Sequence, residues 1–186
     1  MLDNSTKNFI DLVRTRTSCR SYLEKDVPDE AIEQCVEAAR LAPSACNKQP
    51  CRFIIVKDAE LRKRICAEAL LPGLPMPWLR QAPVIVALCA EKSVITHTIA
   101  PFISGIQYQL IDVGIAGEHF VLQAQELGLG TCWIGWFKAG KARKILTIPG
   151  SFQIISLMSL GYPAEEPHFS ERLPLEKIMF RDNQMK

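Results

Sequence analysis

The residues best equipped for chemistry lie near the amino end, where RTRTSCRSY (14–22) sets Arg14, Arg16 and Arg20 among Thr15, Thr17, Ser18 and Ser21. Guanidinium groups give bidentate, charge-assisted donors and short hydroxyls give compact neutral ones, the combination a phosphate ester needs. The same run would also make an ordinary solvated basic loop. A second segment, APSACNKQPCRF (42–53), places Ser44, Asn47 and Gln49 between Pro43 and Pro50. Its neutral donors and acceptors can bind a polyol chain or a ring edge without putting charge on it, and would equally satisfy a helix stop and turn. The third, GLGTCWIG (128–135), holds three glycines where a helix gives way to a strand. That order is the reverse of a dinucleotide cradle, and no GxGxxG follows a first strand.

Other reactive residues form no constellation. Seven cysteines (19, 35, 46, 51, 66, 89 and 132) contain no CxxC pair, and the Cys46–Cys51 spacing without a second pair is poor for zinc. A cysteine-based metal or thiol protein is the lesser alternative. His119 falls mid-helix on a polar face, and His97 and His168 fall in loops, so no histidine is paired with a nucleophile.

Periodicity supplies the elements that must carry these segments. Phe9, Ile10, Leu12 and Val13 make a short helix over 5–14 behind Asn4 or Ser5 as cap. Pro28-Asp29-Glu30 starts a helix that buries Ile32, Cys35, Val36 and Ala39. RFIIV (52–56) reads as a strand, with Asp58 capping a helix that turns Leu61, Ile65 and Ala69 inward. PVIVALCA (83–90) lacks polar alternation, as a central strand covered on both faces would. The longest helix runs from Tyr108 to Leu127 with Leu110, Val113, Gly117, Phe120, Ala124 and Leu127 on one side and Gly128 as its stop. Its Gly114, Ala116 and Gly117 fit either a tightly packed core helix or a seam between two copies. A strand over 131–136, a basic helix over 138–146 and a strand over 152–160 follow, and the tail from Pro163 is polar and has little to bury.

Composition narrows the class. With 186 residues, 48% hydrophobic and 23% charged, the expectation is one compact unit, 1–186. A net charge of +2 with dispersed basic residues implies no nucleic-acid partner. The amino end has no secretory pattern, no apolar run reaches bilayer length, and the thiol usage fits a reducing cytoplasm. Mixed helices and strands without regular βαβ alternation indicate an α+β fold.

Taken together and in order, these segments resemble the FMN-dependent nitroreductase family over about 9–180. The family's R-x-S-x-R element is matched by Arg16, Ser18 and Arg20, and its helix start by Val27-Pro28. Its A-A-R-x-A-P-S-x-x-N-x-Q-P run is matched by Ala38, Ala39, Arg40, Ala42, Pro43, Ser44, Asn47, Gln49 and Pro50. A-P-V at 82–84, I-D-x-G-I-A at 111–116 and L-G-Y-P at 160–163 agree as well. The resemblance implies a central, mainly antiparallel mixed sheet flanked by helices, and a homodimer whose carboxyl tail reaches the partner subunit. It also implies FMN passing hydride from NAD(P)H to a small electron-poor acceptor, such as a nitroaromatic or quinone, by a ping-pong mechanism. Arg16, Thr17, Ser18 and Arg172 would hold the phosphate, and Arg20 the pyrimidine edge of the ring. Pro43, Ser44, Ala45, Asn47 and Gln49 would serve the cofactor of the other copy, while the amides of Ile134 and Gly135 would face the ring, glycine permitting close approach. No catalytic side chain or metal is implied. A substrate lid would come from 72–81 and 94–107, including Trp78, His97, Phe102 and Gln107.

Three departures from the pattern stand out. Cys51 replaces a frequent tryptophan after Q-P, 70–83 offers only Arg80 and Gln81 where longer members have a polar and basic pair, and Ser170 stands where the tail often has a base. The second leaves a flavin-binding module without turnover as an alternative.

Overall fold

The computed structural model describes residues 8–92 and 100–182. Asn8, not Asn4 or Ser5, caps the first helix, its side chain accepting from the Ile10 amide at 3.3 Å; the two expected caps lie outside the described residues. In chain order the helices are α1 (Phe9–Thr15), α2 (Asp29–Arg40), α3 (Ala59–Arg64), α4 (Ala100–Ser104), α5 (Tyr108–Glu126) and α6 (Ala139–Ile145). The strands are β1 (Cys51–Val56), β2 (Val84–Glu91), β3 (Gly130–Ile134) and β4 (Phe152–Gly161). Asp58 caps α3 as expected, accepting from the Leu61 amide at 2.8 Å. The expected continuation to residue 69 is instead a π-helical turn over Ile65–Ala69.

The four strands lie in the order β1-β2-β4-β3, every ladder antiparallel. The mixed character expected of the sheet is confined to a single parallel bridge, Ser18 to Thr131, beside β3. Strand β2 has no polar alternation because it is buried on both faces. Val84, Val86, Leu88 and Ala90 pack towards α2 and α5, and Ile85, Ala87 and Cys89 pack into the opposite cluster with Ile65, Ala69, Ala142 and Ile145. The result is two cores divided by one sheet, with α2 and α5 on one side and the α3 region and α6 on the other.

Helix α5 buries Gln109, Asp112, Val113, Ala116, Gly117, Phe120, Val121 and Ala124. Leu110, expected on this face, points outward with Ile111, at 46% and 49% exposure. The glycines split the two readings offered for the small-residue stretch. A Cβ on Gly117 would stand 2.2 Å from Trp133 Cη2 and 2.9 Å from Leu88 Cδ2, whereas one on Gly114 would meet nothing within 4 Å. Gly117 is therefore a core contact and Gly114 belongs to an open face.

Gly117→Ala is expected to destabilise the fold by roughly 1–3 kcal/mol through overpacking, outweighing the ~1 kcal/mol alanine gains as a helix former. Urea titration checks this; an unchanged or higher midpoint would mean Trp133 swings aside at little cost.

Candidate functional site

The basic segment is a helix end that turns into an edge arm. At Arg16 the backbone leaves α1 for extended geometry (φ −66°, ψ 121°), and the arm then runs along the sheet. The Cys19 amide donates to the Thr131 carbonyl at 2.9 Å, the Leu23 amide to the Tyr162 carbonyl at 2.9 Å, and the Ala164 amide to the Ser21 carbonyl at 3.0 Å. Gly130 makes this approach possible. A Cβ there would lie 2.6 Å from Cys19 Cβ and 2.7 Å from its Sγ, so any side chain would push the arm off β3.

Along the arm Arg16 and Thr17 are half-buried and Ser18 and Arg20 exposed. Neither the Arg16 nor the Arg20 guanidinium forms an ion pair with any described residue, although surface ion pairs occupy Arg14, Arg40, Arg52, Lys57, Lys63 and Arg64. Burial pushes the Cys132 thiol up, with Arg20, Ser18 and Arg16 pulling it partly back, and burial pushes the Glu118 carboxyl up with Arg16 opposing. The two arginines thus set a positive field over the start of β3. Thr17, Ser18 and Arg20 line a cleft of about 380 Å³ with Gln125, Gly130 and Pro163. Glu165, Glu166 and His168 also border it, without pairing to either arginine. Two unpaired guanidinium groups and adjacent hydroxyls are a donor set that fits an anionic phosphate.

The 43–49 loop is built differently. Cys46, Asn47 and Gln49 all have positive φ (51°, 51° and 49°), a cluster of sparsely populated backbone that must be imposed from outside. The imposing contacts are few and specific. Asp112 on α5, only 5% exposed, accepts from the Ala45 amide at 2.9 Å, Ser44 Oγ accepts from the Gln49 amide at 2.8 Å, and Asn47 Oδ1 accepts from Gln49 Nε2 at 3.0 Å. Pro43, Ser44 and Gln49 line a second cleft of about 540 Å³ with Phe53, Cys51 and Asp112, rimmed by Arg40, Lys48 and Arg52. Within one chain, then, the loop and the arginine arm serve two separate clefts.

At the far end of β3, Ile134 is buried and its carbonyl accepts from Ser156 Oγ at 3.0 Å. Gly135 is exposed, with nothing within 4 Å of where a Cβ would stand, so its peptide is open to a flat ligand. The departing chain is fastened to 69–72: Lys138 N donates to the Ala69 carbonyl at 2.6 Å and Trp136 Nε1 to the Pro72 carbonyl at 3.0 Å.

Arg172 is not brought to the arm within the chain; its Nη1 donates to the carbonyls of Ser170 and Glu171, at 3.0 and 3.3 Å, on an exposed tail. Arg80 lines another cleft with Arg62 and Lys63. Of the expected lid, His97 lies outside the described residues, Phe102 is 92% exposed, and Trp78 is half-buried against the second core. His119 Nδ1 lies 3.3 Å from the Ala38 carbonyl, a helix-to-helix contact. All seven cysteines are free. Burial pushes the Cys35 thiol up to about 12 and those of Cys51 and Cys89 up to about 11, so they stay protonated at neutral pH. Only Cys46 is exposed, and no group of three or more His, Cys, Asp or Glu among the described residues could hold a metal.

Two positioning features escaped the sequence reading. In the sequence Asp112 is only the acidic position of I-D-x-G-I-A, yet it is buried; its place next to the core residue Val113 is the one local signal. Tyr22 registered only as the end of the basic run.

This α+β chain sets arginine and hydroxyl donors at one end of an edge strand and an open glycine peptide at the other, donors of the kinds that a phosphate and a flat ring can use. The sequence profile described as the nitroreductase family matches residues 13–75 and 66–162. The chain belongs to that family. It is 35% identical over 164 residues to an Archaeoglobus fulgidus protein provisionally named NADH dehydrogenase/NAD(P)H nitroreductase, covering 86% of this chain and 88% of the other. It is 32% identical over 177 residues to the FMN reductase [NAD(P)H] of Bacillus subtilis, covering 87% and 68%. Its fold matches the solved FMN-dependent nitroreductase of Clostridium difficile R20291 with TM-score 0.77 at 27% identity, over 93% and 99% of the two chains.

Asp112→Ala is expected to cost about 1–3 kcal/mol, since the Ala45 amide loses a charged acceptor, and to speed thiol labelling at Cys46 as the loop relaxes. Urea titration and labelling with an aromatic disulfide check both; unaltered labelling would mean the positive-φ backbone holds without Asp112.

Proposed function

We propose that this protein is an FMN-dependent oxidoreductase that transfers hydride from NAD(P)H to a small electron-poor acceptor, a nitroaromatic or quinone, by a ping-pong mechanism. Membership of the nitroreductase family supports the NAD(P)H-dependent oxidoreductase class. The relatives named FMN reductase and FMN-dependent nitroreductase support the cofactor. The observation that carries the reading in this chain is the edge arm that lines a cleft with Thr17, Ser18 and Arg20, with Arg16 next to Thr17 and neither guanidinium in an ion pair with a described residue.

FMN, when bound, supplies the hydride carrier, so the chain needs no nucleophile or general base. Arg16, Thr17 and Ser18 hold the phosphate, joined by Arg172 where the tail can reach. Arg20 holds the ring edge on which negative charge collects in the reduced cofactor, and the amides of Ile134 and Gly135 polarise the opposite edge. The loop of Pro43, Ser44, Ala45, Asn47 and Gln49 serves the cofactor held mainly by a second copy of the chain, which accounts for its separation from the arm within one chain.

A homodimer also accounts for the exposed apolar surface. Phe9 on α1, Leu110 and Ile111 on α5, and Phe169, Leu173 and Ile178 on the tail are between 46% and 68% exposed, more than an isolated chain keeps in water without purpose. No helix among the described residues is long and apolar enough to cross a membrane.

The purified protein is expected to be yellow, to release FMN on denaturation, and to bleach anaerobically with NADH or NADPH. Colour without bleaching would favour a flavin-binding module without turnover, and a colourless protein that takes up no added FMN would end the proposal. Arg16→Ala should weaken FMN binding by roughly 1.5–3 kcal/mol, the scale of a lost charged hydrogen bond; unchanged affinity would remove the phosphate assignment. Sedimentation of the loaded protein as a monomer would remove the shared site.

A further inference from the structure

Arg16 and Arg20, four residues apart, carry like charge and make no ion pair with a described residue, so the arm between them must be held by other contacts. Three backbone hydrogen bonds tie this arm to the sheet, at Cys19, Ser21 and Leu23. One side chain does so as well. The Tyr22 ring is 6% exposed and lies against Gly161, where a Cβ would come within 2.9 Å of Tyr22 Cδ1. Its hydroxyl lies 2.9 Å from the Cys19 carbonyl and 2.6 Å from Oγ of Ser159, a β4 residue with no exposure.

The direction of these bonds is fixed by valence. A carbonyl only accepts, so the single phenol proton goes to Cys19, and the Ser159 hydroxyl must donate to the phenol oxygen. Burial pushes the phenol well above its usual range, so the donor keeps its proton at any pH the protein meets.

The consequence falls on Cys19, midway between Ser18 and Arg20. Its amide is bound to Thr131 of β3, its carbonyl to Tyr22, and its thiol donates to the Ser21 carbonyl at 3.1 Å. Both peptide planes at Cys19 are therefore set by groups anchored in the sheet. Ser18 inherits its direction from those planes, because successive residues of an extended chain point to opposite faces, while Arg20 is held from beyond by the bonds at Ser21 and Leu23 as well.

We propose that Tyr22, held by Ser159, is a positioning residue that fixes Ser18 relative to Arg16, and so gives the site its preference for a phosphorylated flavin over an unphosphorylated one. This rests on the phosphate reading of Arg16 and Ser18. Phenylalanine would fill the same space and pack on the same glycine but would leave the Cys19 carbonyl and the Ser159 hydroxyl without their partner.

The test is titration of the apoprotein with FMN and with riboflavin, followed by flavin fluorescence. In Tyr22→Phe the FMN Kd is expected to rise roughly three- to tenfold, the worth of an uncharged hydrogen bond, while the riboflavin Kd stays within about twofold. A residue that merely stabilised the fold would weaken both flavins alike, and that result, or an unchanged FMN Kd, overturns the proposal. Ser159→Ala keeps the ring in place and carries the same test should Tyr22→Phe not fold; it too should cost FMN more than riboflavin. Arg16→Ala run alongside separates the two claims. If Arg16→Ala leaves the FMN preference intact, the phosphate reading is what has failed. If Arg16→Ala lowers the preference and both Tyr22→Phe and Ser159→Ala leave it intact, only the positioning role has.

Discussion

The chain must hold positive charge in place without neutralising it. Some of its surface cations are spent on nearby carboxylates, as Arg40 is on Glu37 at 2.6 Å and Arg52 on Glu91 at 2.8 Å. At Arg16 and Arg20 the charges are left open to an incoming anion. An anion site of this kind is only as strong as the geometry that keeps its donors converged before the ligand arrives, because each donor ordered beforehand spares conformational entropy at binding. The architecture of the amino-terminal third follows. Helix α1 ends where the arm must turn extended, Gly130 lets the arm lie flush on β3, and Tyr22 ties it to the far end of β4.

The sheet supplies the rigidity this demands. Because β2 is buried on both faces and flanked by β1 and β4, the centre of the sheet cannot shift without disturbing two cores at once. Strand β3 takes its register from β4, with Thr131 opposite Leu160 and Ile134 opposite Leu157. One strand thus carries the anchor of the arginine arm at its beginning and the open Gly135 peptide just past its end. The separation of these two features is set by a few residues of extended backbone rather than by loops.

What the sequence made legible and what it did not divide along physical lines. The unbroken apolar run of β2, the Asp58 cap and the Gly128 stop are local signals, and the structure agrees with each: Gly128 has φ +73° at the end of α5. The arginines and hydroxyls of the edge arm are plain from residue types alone, and the structure leaves Arg16 and Arg20 without an ion pair among the described residues. Orientation was not. Leu110 looks like a core residue by period but turns outward, and Asp112 looks like a solvated charge but is buried, because the deciding partner, the Ala45 amide, lies 67 residues away. Tyr22 depends on a contact over 137 residues. Pairings of that range leave no periodic trace, so a sequence read for period and motif finds the donors but not the groups that aim them.

The strained loop adds a second argument about where the site is completed. Three non-glycine residues at positive φ within four positions cost the fold roughly 1–3 kcal/mol each, and Asp112 accepts a desolvation cost to hold them. Within the chain the loop's side chains turn on themselves or outward: Asn47 is exposed, Gln49 turns its side chain back onto Asn47, and the Gln49 carbonyl accepts from Arg52 at 2.9 Å. Structure maintained at a cost and unused within the chain is structure presented outward. Phe9 on α1, Leu110 and Ile111 on α5 and Phe169, Leu173 and Ile178 on the tail are exposed as well. A second copy packed on those faces would answer both, burying the apolar surface and bringing the loop of each chain to the ligand of the other. In such a pairing the strain in the loop and the exposure of the helices would be two parts of one arrangement, with each site completed by both chains.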